Sequence, residues 1–193
     1  MIQGCFKADV GVLVISARKG EFETGFEKGG QTREHALLAK TLGIQHLVVV
    51  VNKMDDPTVN WSQDRYEECV GKLKPYLKSC GYVIKTEVKF IPISGITGDN
   101  LKKEVSSAAC PWWAEYYKKG QHNTSNPTLI SLLDNLAIVG RDPSGPLRLP
   151  ILDRFYDRGC VVMGKVESGT IIEGSQVIIS PTKKLAKIES LYI

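Results

Sequence analysis

The chain has 193 residues, 25 Lys plus Arg against 21 Asp plus Glu, a formal charge of +4, and 42% hydrophobic residues. That balance is globular and excludes a disordered tail; at roughly 100–200 residues per domain it holds one domain, or one and part of a second. The longest apolar run, Leu47 to Val51, is five residues, far short of the about 20 that span a bilayer. Met1 to Lys7 carries neither the basic flank and apolar stretch of a secretion signal nor an Arg/Ser-rich transit pattern. A cytoplasmic protein with no membrane attachment is therefore expected.

Cys5, Cys69, Cys80, Cys110 and Cys160 are odd in number and form no CxxC, and His35, His46 and His122 lie far from any cysteine pair. Free thiols and no metal site are expected. The positive charge is spread over pairs such as Lys102-Lys103, Lys118-Lys119 and Lys183-Lys184, which read as solvated faces; no direct DNA contact is implied.

In chain order, Val10 to Ser16 is short, β-branched and continuously apolar, the pattern of a strand buried on both faces of a parallel sheet. Thr32 to Leu42 then puts Ala36, Leu37, Ala39 and Leu42 on one helical stripe, with Gly43 as the stop, and Leu47 to Val51 is a second buried strand. Ser62 is an N-cap candidate before an acidic first turn, and Tyr66, Cys69, Val70, Leu73 and Leu77 continue a stripe to Gly81. Lys89 to Ile93 supplies a third strand and Pro127 to Ala137 one more amphipathic helix. The alternation predicts a doubly wound α/β domain with a parallel sheet and flanking helices.

At Arg141-Asp142-Pro143-Ser144-Gly145-Pro146 the helical periodicity ends in a linker-like stretch. Beyond it the strand candidates are Leu147 to Tyr156, Cys160 to Glu167, Gln176 to Ser180 and Lys187 to Tyr192, which fit a barrel or sandwich. Two domains are expected, 1–146 and 147–193, and the second is too short for a closed barrel of its own.

Asn52-Lys53-Met54-Asp55 follows the strand Leu47 to Val51 directly, at the carboxyl end of a parallel strand, where open α/β sheets bind ligands. Guanine presents N1–H and N2 donors on one edge and acceptors on the other. A carboxylate such as Asp55 can accept both donors, Asn52 can donate toward the acceptors or brace the loop, and the aliphatic stem of Lys53 can cover the base plane. An ordinary polar loop after a strand is the structural alternative. Ser94-Gly95-Ile96 follows the third strand in the same way, and its backbone N–H groups can approach a ring oxygen closely.

These two segments resemble the base-recognition motifs of GTP-binding proteins. Gly20-Glu21-Phe22-Glu23 with Gly30-Gln31-Thr32-Arg33-Glu34-His35-Ala36 resembles the elongation factor 1-alpha group of translational GTPases. Asp55-Asp56-Pro57-Thr58-Val59-Asn60-Trp61 and Val162-Met163-Gly164-Lys165-Val166-Glu167-Ser168-Gly169 are most similar, within that group, to the eukaryotic class II peptide-chain release factors. The resemblance covers nearly the whole chain and is thinnest from Glu104 to Asn126, where Tyr116 to Thr124 looks like an insertion or a divergence. It implies a fold made of an incomplete P-loop-type G domain followed by the start of an antiparallel β-barrel. It also implies guanine contacts from Asn52, Lys53, Asp55, Ser94, Gly95 and Ile96, and GTP or GDP as ligand, with Mg²⁺ in the full-length family member. The partners it implies are the stop-codon-reading release factor and the ribosome, with GTP hydrolysis coupled to peptide release.

The departures from the family pattern are as informative. Phosphate binding there needs a Gly-rich loop ending in Lys-Ser/Thr. The nearest stretch, Gly25-Phe26-Glu27-Lys28-Gly29-Gly30-Gln31-Thr32, has Gln31 in place of the Lys and starts nine residues after Ser16. The family's Asp-x-x-Gly segment is expected to lie before Met1, which the resemblance makes an internal methionine. The chain by itself is thus expected to supply no catalytic or metal-binding residue and to hydrolyse essentially no GTP. His35, Glu67-Glu68 and Asp56 are read as structural rather than catalytic, and Trp112-Trp113 as core. Two neighbouring readings stand beside the termination factor: an elongation factor 1-alpha or ribosome-rescue GTPase, and a non-catalytic binding module.

Overall fold

A computed structural model describes residues 8–119, 128–136, 142–157 and 159–192. Cys5, His122, the end of the Tyr116 to Thr124 segment, Pro127, Ala137 and Arg141 lie outside the described residues. The chain divides into two compact units, 1–137 and 138–193, and the stretch Asp142 to Pro146 falls in the second.

In the first unit, β1 (Val10–Ser16), β2 (His46–Asn52) and β3 (Val88–Pro92) form a parallel sheet in the order β1-β2-β3. Between the strands run α1 (Glu21–Phe26), α2 (Gln31–Thr41) and α3 (Gln63–Ser79), and after them α4 (Pro111–Lys119) and α5 (Leu129–Asp134). Two right-handed crossovers that step the same way along a sheet leave their helices on one face. In accord with this, α2 packs against both β1 and α3. The central strand is dry on both faces, with Val48, Val49, Val50 and Val51 all at 0% exposure.

The expectation that Val10 to Ser16 is buried on both faces is corrected. Leu13 and Ile15 are buried, but Val12 and Val14 are 44% and 56% exposed. Among the described residues β1 is an outer strand, and only its face that meets α2 is covered. The third strand begins one residue earlier than expected, at Val88.

Helix boundaries follow local chemistry. The Oγ of Ser62 accepts from the Arg65 amide and caps α3, whose buried stripe is Arg65, Tyr66, Cys69, Val70, Leu73 and Leu77. Gly43 and Gly81 close α2 and α3 at φ of 90° and 95°, a conformation that favours glycine. Two helices were not expected as such. α1 is only six residues long, and α4 sets Trp112, Trp113 and Tyr116 around Tyr66 of α3, with Trp113 1% exposed. That accords with reading the tryptophans as core. α5 is shorter than its predicted span and is capped by Thr128, whose Oγ1 accepts from the Ser131 amide.

Among its described residues the second unit holds two separate antiparallel pairs, β4 (Ile151–Tyr156) with β5 (Cys160–Gly164) and β6 (Gln176–Ile179) with β7 (Lys184–Lys187). The expected strand over Lys187 to Tyr192 is corrected: the chain turns at Ser180 to Lys183 and pairs again at once, Ile179 opposite Lys184. The sequence Lys184-Leu185-Ala186-Lys187 is four residues with two adjacent apolar positions between charges, too short and without the period-two alternation that would read as a strand. Apolar side chains here stand in the open, among them Phe155 at 50%, Ile178 at 67% and Leu185 at 71%.

Cys69, Cys80, Cys110 and Cys160 are free. Burial pushes the Cys69 thiol up to about 11, and burial does the same to Cys110, so both stay protonated. Among the described residues no group of three His, Cys, Asp or Glu comes together as a metal site would require. No described helix is long and apolar enough to cross a membrane.

Candidate functional site

The parallel register places Ser16 opposite Asn52 and Val51 opposite Pro92. The segments that leave β1, β2 and β3 therefore start side by side at one end of the sheet. Asn52 ends β2 and its side chain braces the site: Oδ1 accepts from the Lys53 amide at 2.7 Å and from the Gly95 amide at 2.8 Å. These two bonds make Asn52 a brace between the loops and use only its Oδ1, so the donating role of its Nδ2 is not engaged by them.

Lys53 follows with φ 63°, an uncommon left-handed conformation for a side chain of its size. Hydrogen bonds on either side hold it there. The Met54 amide donates to the Ile93 carbonyl at 3.2 Å, and the Asp56 amide donates to the Lys53 carbonyl at 3.2 Å. Met54 is 0% exposed and anchors the turn, and its carbonyl accepts from the Trp61 amide at 2.7 Å.

The two aspartates of this loop differ completely. The buried Asp56 carboxylate accepts from the Thr58 amide at 2.9 Å, from the Thr58 hydroxyl and from Arg18 Nε. The Thr58 hydroxyl and amide first, and Arg18 after them, hold the Asp56 carboxyl down at about 2. Asp55 is half-buried, and no described residue donates to its carboxylate. It is thus a carboxylate with its acceptor positions open, at the mouth of the strand ends.

In the loop after β3, the Ser94 amide donates to the Asp99 carbonyl, the Thr97 amide to Ser94 Oγ and the Gly98 amide to the Ser94 carbonyl. The Gly95 amide is engaged by Asn52, so within residues 94–98 the Ile96 amide alone has no described acceptor. The Ile96 side chain is 89% exposed. Asn100, 0% exposed and at φ 57°, latches this loop from behind: Nδ2 donates to the Pro92 carbonyl and Oδ1 accepts from the Val105 amide. Sequence reading missed Asn100, although an Asn five residues after a strand-end Gly is a residue type that suits αL and local bonding.

The loop after β1 closes the third side. Glu21 Oε2 accepts from Lys53 Nζ at 2.6 Å and from Ser16 Oγ at 2.8 Å, and Oε1 accepts from Arg18 Nη1 at 3.2 Å. Arg65, 6% exposed, donates to the Ala17 and Arg18 carbonyls and to Glu23 and Glu68, fixing the same loop to α3. Glu68 is thereby structural, His35 is half-buried on α2, and Glu67 accepts from Gln63 one turn away.

The architecture, the base of the sheet and the matched residues agree with one family: the elongation factor Tu GTP binding domain matches residues 1–141. The chain belongs to that family. Among curated relatives it is 50% identical over 192 residues to the eukaryotic peptide chain release factor GTP-binding subunit of Kluyveromyces lactis, covering all of this chain and 26% of the relative. It is 47% identical over 193 residues to the same-named protein of Schizosaccharomyces pombe, covering 28% of it. The chain thus spans about a quarter of the length of these relatives. Among solved structures it is similar to sup35 complexed with GDP, with 47% identity, a TM-score of 0.62, and coverage of 96% of this chain and 43% of that one. It is likewise similar to sup35 complexed with GMPPNP, with 48% identity, a TM-score of 0.61, and coverage of 93% and 41%.

A phosphate or Mg²⁺ site, which an elongation factor Tu GTP binding domain implies, does not fit the described residues. In Gly25 to Thr32 the Gly30 amide donates to the Glu27 carbonyl, and a Cβ on Gly30 would lie 2.4 Å from the Gly25 carbonyl oxygen. The stretch is closed on itself between α1 and α2 and leaves no cradle for an anion.

Proposed function

We propose that this chain is the guanine-reading part of a translation termination GTPase, with residues 1–146 as the carboxyl-terminal part of its G domain and 147–193 as the first strands of a β-barrel second domain. The observation that carries the reading is the Asp55 carboxylate, open to donors and fixed between the buried anchors Met54 and Asp56. It accepts the N1–H and N2 donors of guanine, which adenine lacks as a pair. The Ile96 amide donates toward the ring oxygen, with Gly95 and Ser94 shaping the turn, the Lys53 stem lies along the base plane, and Asn52 ties the two loops together. Its relatives support the class of protein: they are release factor GTP-binding subunits, and similar structures hold GDP and GMPPNP.

In the whole factor the partners are the stop-codon-reading release factor and the ribosome, in the cytoplasm, and hydrolysis of GTP with Mg²⁺ accompanies peptide release. The 193-residue chain alone holds guanine nucleotide weakly and turns none over, because phosphate contacts supply most of the catalysis. The paired antiparallel strands and open apolar side chains beyond residue 150 suit a barrel wall.

Titration of the labelled chain with GDP and ADP, followed by amide chemical shifts, tests the reading. Shifts at Gly95 and Ile96 with GDP, weaker ones with ADP, and loss of that preference in Asp55→Ala are expected. Equal response to both nucleotides would overturn base recognition, and Mg²⁺-dependent GTP turnover by the purified chain would overturn the inactivity. A partner interaction that survives Asp55→Ala would favour a binding module.

A further inference from the structure

We infer that Glu21, at the start of α1, is a positioning residue that sets the Lys53 stem over the base; the inference rests on the guanine-binding reading above. A lysine side chain has a flexible four-carbon stem and rotatable donors, so an untethered Lys53 would sample many rotamers before a ligand arrived. Here both of its ends are held. Its backbone is held in the left-handed region by the hydrogen bond that its N–H donates to Asn52 Oδ1, and its ammonium donates to Glu21 Oε2 at 2.6 Å. The stem is stretched between two anchors that belong to different strands' loops, β2's and β1's.

Glu21 is itself held. Ser16 Oγ donates to the oxygen that takes the lysine, and Arg18 donates to the other. Lys53 first, then Ser16 and Arg18, keep the Glu21 carboxyl down at about 2, so it stays charged wherever the protein works. Arg18 also donates to Asp56 through Nε. The result is an alternating row, Lys53, Glu21, Arg18, Asp56, which surrounds the loop that presents Asp55 yet leaves Asp55 outside it. A row that neutralises itself in pairs holds the lysine without presenting a competing cation to the Asp55 carboxylate.

The pair Lys53–Glu21 is about 40% exposed at each partner, so its weight in folding is small and its effect belongs to ligand affinity. The test uses the nitrogen-15-labelled 193-residue chain titrated with GDP and with ADP to millimolar concentration, in wild type, Glu21→Gln, Lys53→Ala, the double variant and Asp55→Asn. Glu21→Gln is expected to weaken GDP about two- to five-fold, the size an exposed ion pair supports, with the preference for GDP over ADP intact. The Lys53 ammonium resonance, slowed in exchange by its acceptor, is expected to vanish in the same variant. In the Lys53→Ala background Glu21→Gln is expected to have no further effect.

Unchanged GDP affinity in Glu21→Gln would overturn the inference, and so would an equal loss in the Lys53→Ala background. A guanine preference that survives Asp55→Asn is a different result: it overturns the base-binding reading and takes this inference with it. Should Glu21→Gln fail to fold, Glu21→Asp, one methylene too short to span Ser16 and Lys53 together, carries the same comparison.

Discussion

β1 and β2 are each seven residues long, each mainly β-branched, and joined in unbroken register from Val10 opposite His46 to Ser16 opposite Asn52. Yet Val50 is fully buried while its register partner Val14 is 56% exposed. The residues are alike; the neighbours differ. β2 has a strand on either side and cover on both faces, whereas β1 has one strand and one covered face among the described residues. A valine's energetic weight is therefore set by position in the sheet and not by its place in an apolar run.

The largest effect that would break this comparison comes from charge. Val50→Asp puts an unpaired carboxylate in a dry sheet and is expected to unfold the first unit, at a cost of more than about 4 kcal/mol. Val14→Asp is expected to keep the fold and raise solubility, because a charge on an edge strand discourages pairing with another chain. Circular dichroism and sedimentation of the two variants side by side check both; equal unfolding would show that β1's outer face is covered after all. Next, Asn100→Ala orphans the Pro92 carbonyl and the Val105 amide behind the β3 loop, and is expected to cost about 2–3 kcal/mol in denaturant melts. Val50→Ala should cost about 2 kcal/mol against less than about 0.5 for Val14→Ala.

A smaller, pH-dependent effect sharpens the contrast between the loops that leave the two strands. Arg65 holds the Glu23 carboxyl down from 4.5 to about 2 after β1, and Thr58 with Arg18 holds Asp56 down from 3.8 to about 2 after β2. Both groups are ionised in the folded protein at pH values where the unfolded chain binds protons. Their stabilisation is complete above about pH 4.5 and is lost as the pH falls toward 2. Melting temperature against pH should fall through that window, and the fall should flatten in Glu23→Gln and in Asp56→Asn. A slope unchanged by either variant would mean the loops are not held by these carboxylates.

Much of the first unit was legible because its signals are local. The stripe of α3, its Ser62 cap and the glycines past α2 and α3 are properties of a few adjacent residues, and each stands where the pattern puts it. What failed was whatever depends on distant neighbours. Val12 and Val14 look as apolar as Val48 and Val50, and only the strand order separates them. The sequence pattern puts the last strand too far along, because the four residues of β7, Lys184–Lys187, owe their pairing to the turn before them and not to their own character. At the candidate site the type and order of Asn52, Lys53, Asp55 and Ser94 to Ile96 could be read directly. The braces could not: Glu21 meets Lys53, and Asn100 meets Pro92, through a register and a turn that no short window contains.

The hydrogen bond from the Trp112 indole to the Trp61 carbonyl at 2.6 Å, followed by that from the Trp61 amide to the Met54 carbonyl, runs from the aromatic cluster to the residue between Lys53 and Asp55. Trp61 and Trp112 are consequently native optical probes of the loop, since an indole's emission responds to the polarity and bonding around it. A ligand that draws on Asp55, next to Met54, is expected to register in tryptophan fluorescence without any attached dye, and an emission spectrum unchanged by GDP would show that the loop and the indoles are not linked. The same two hydrogen bonds that steady the loop make the colour and brightness of these indoles a readout of its state.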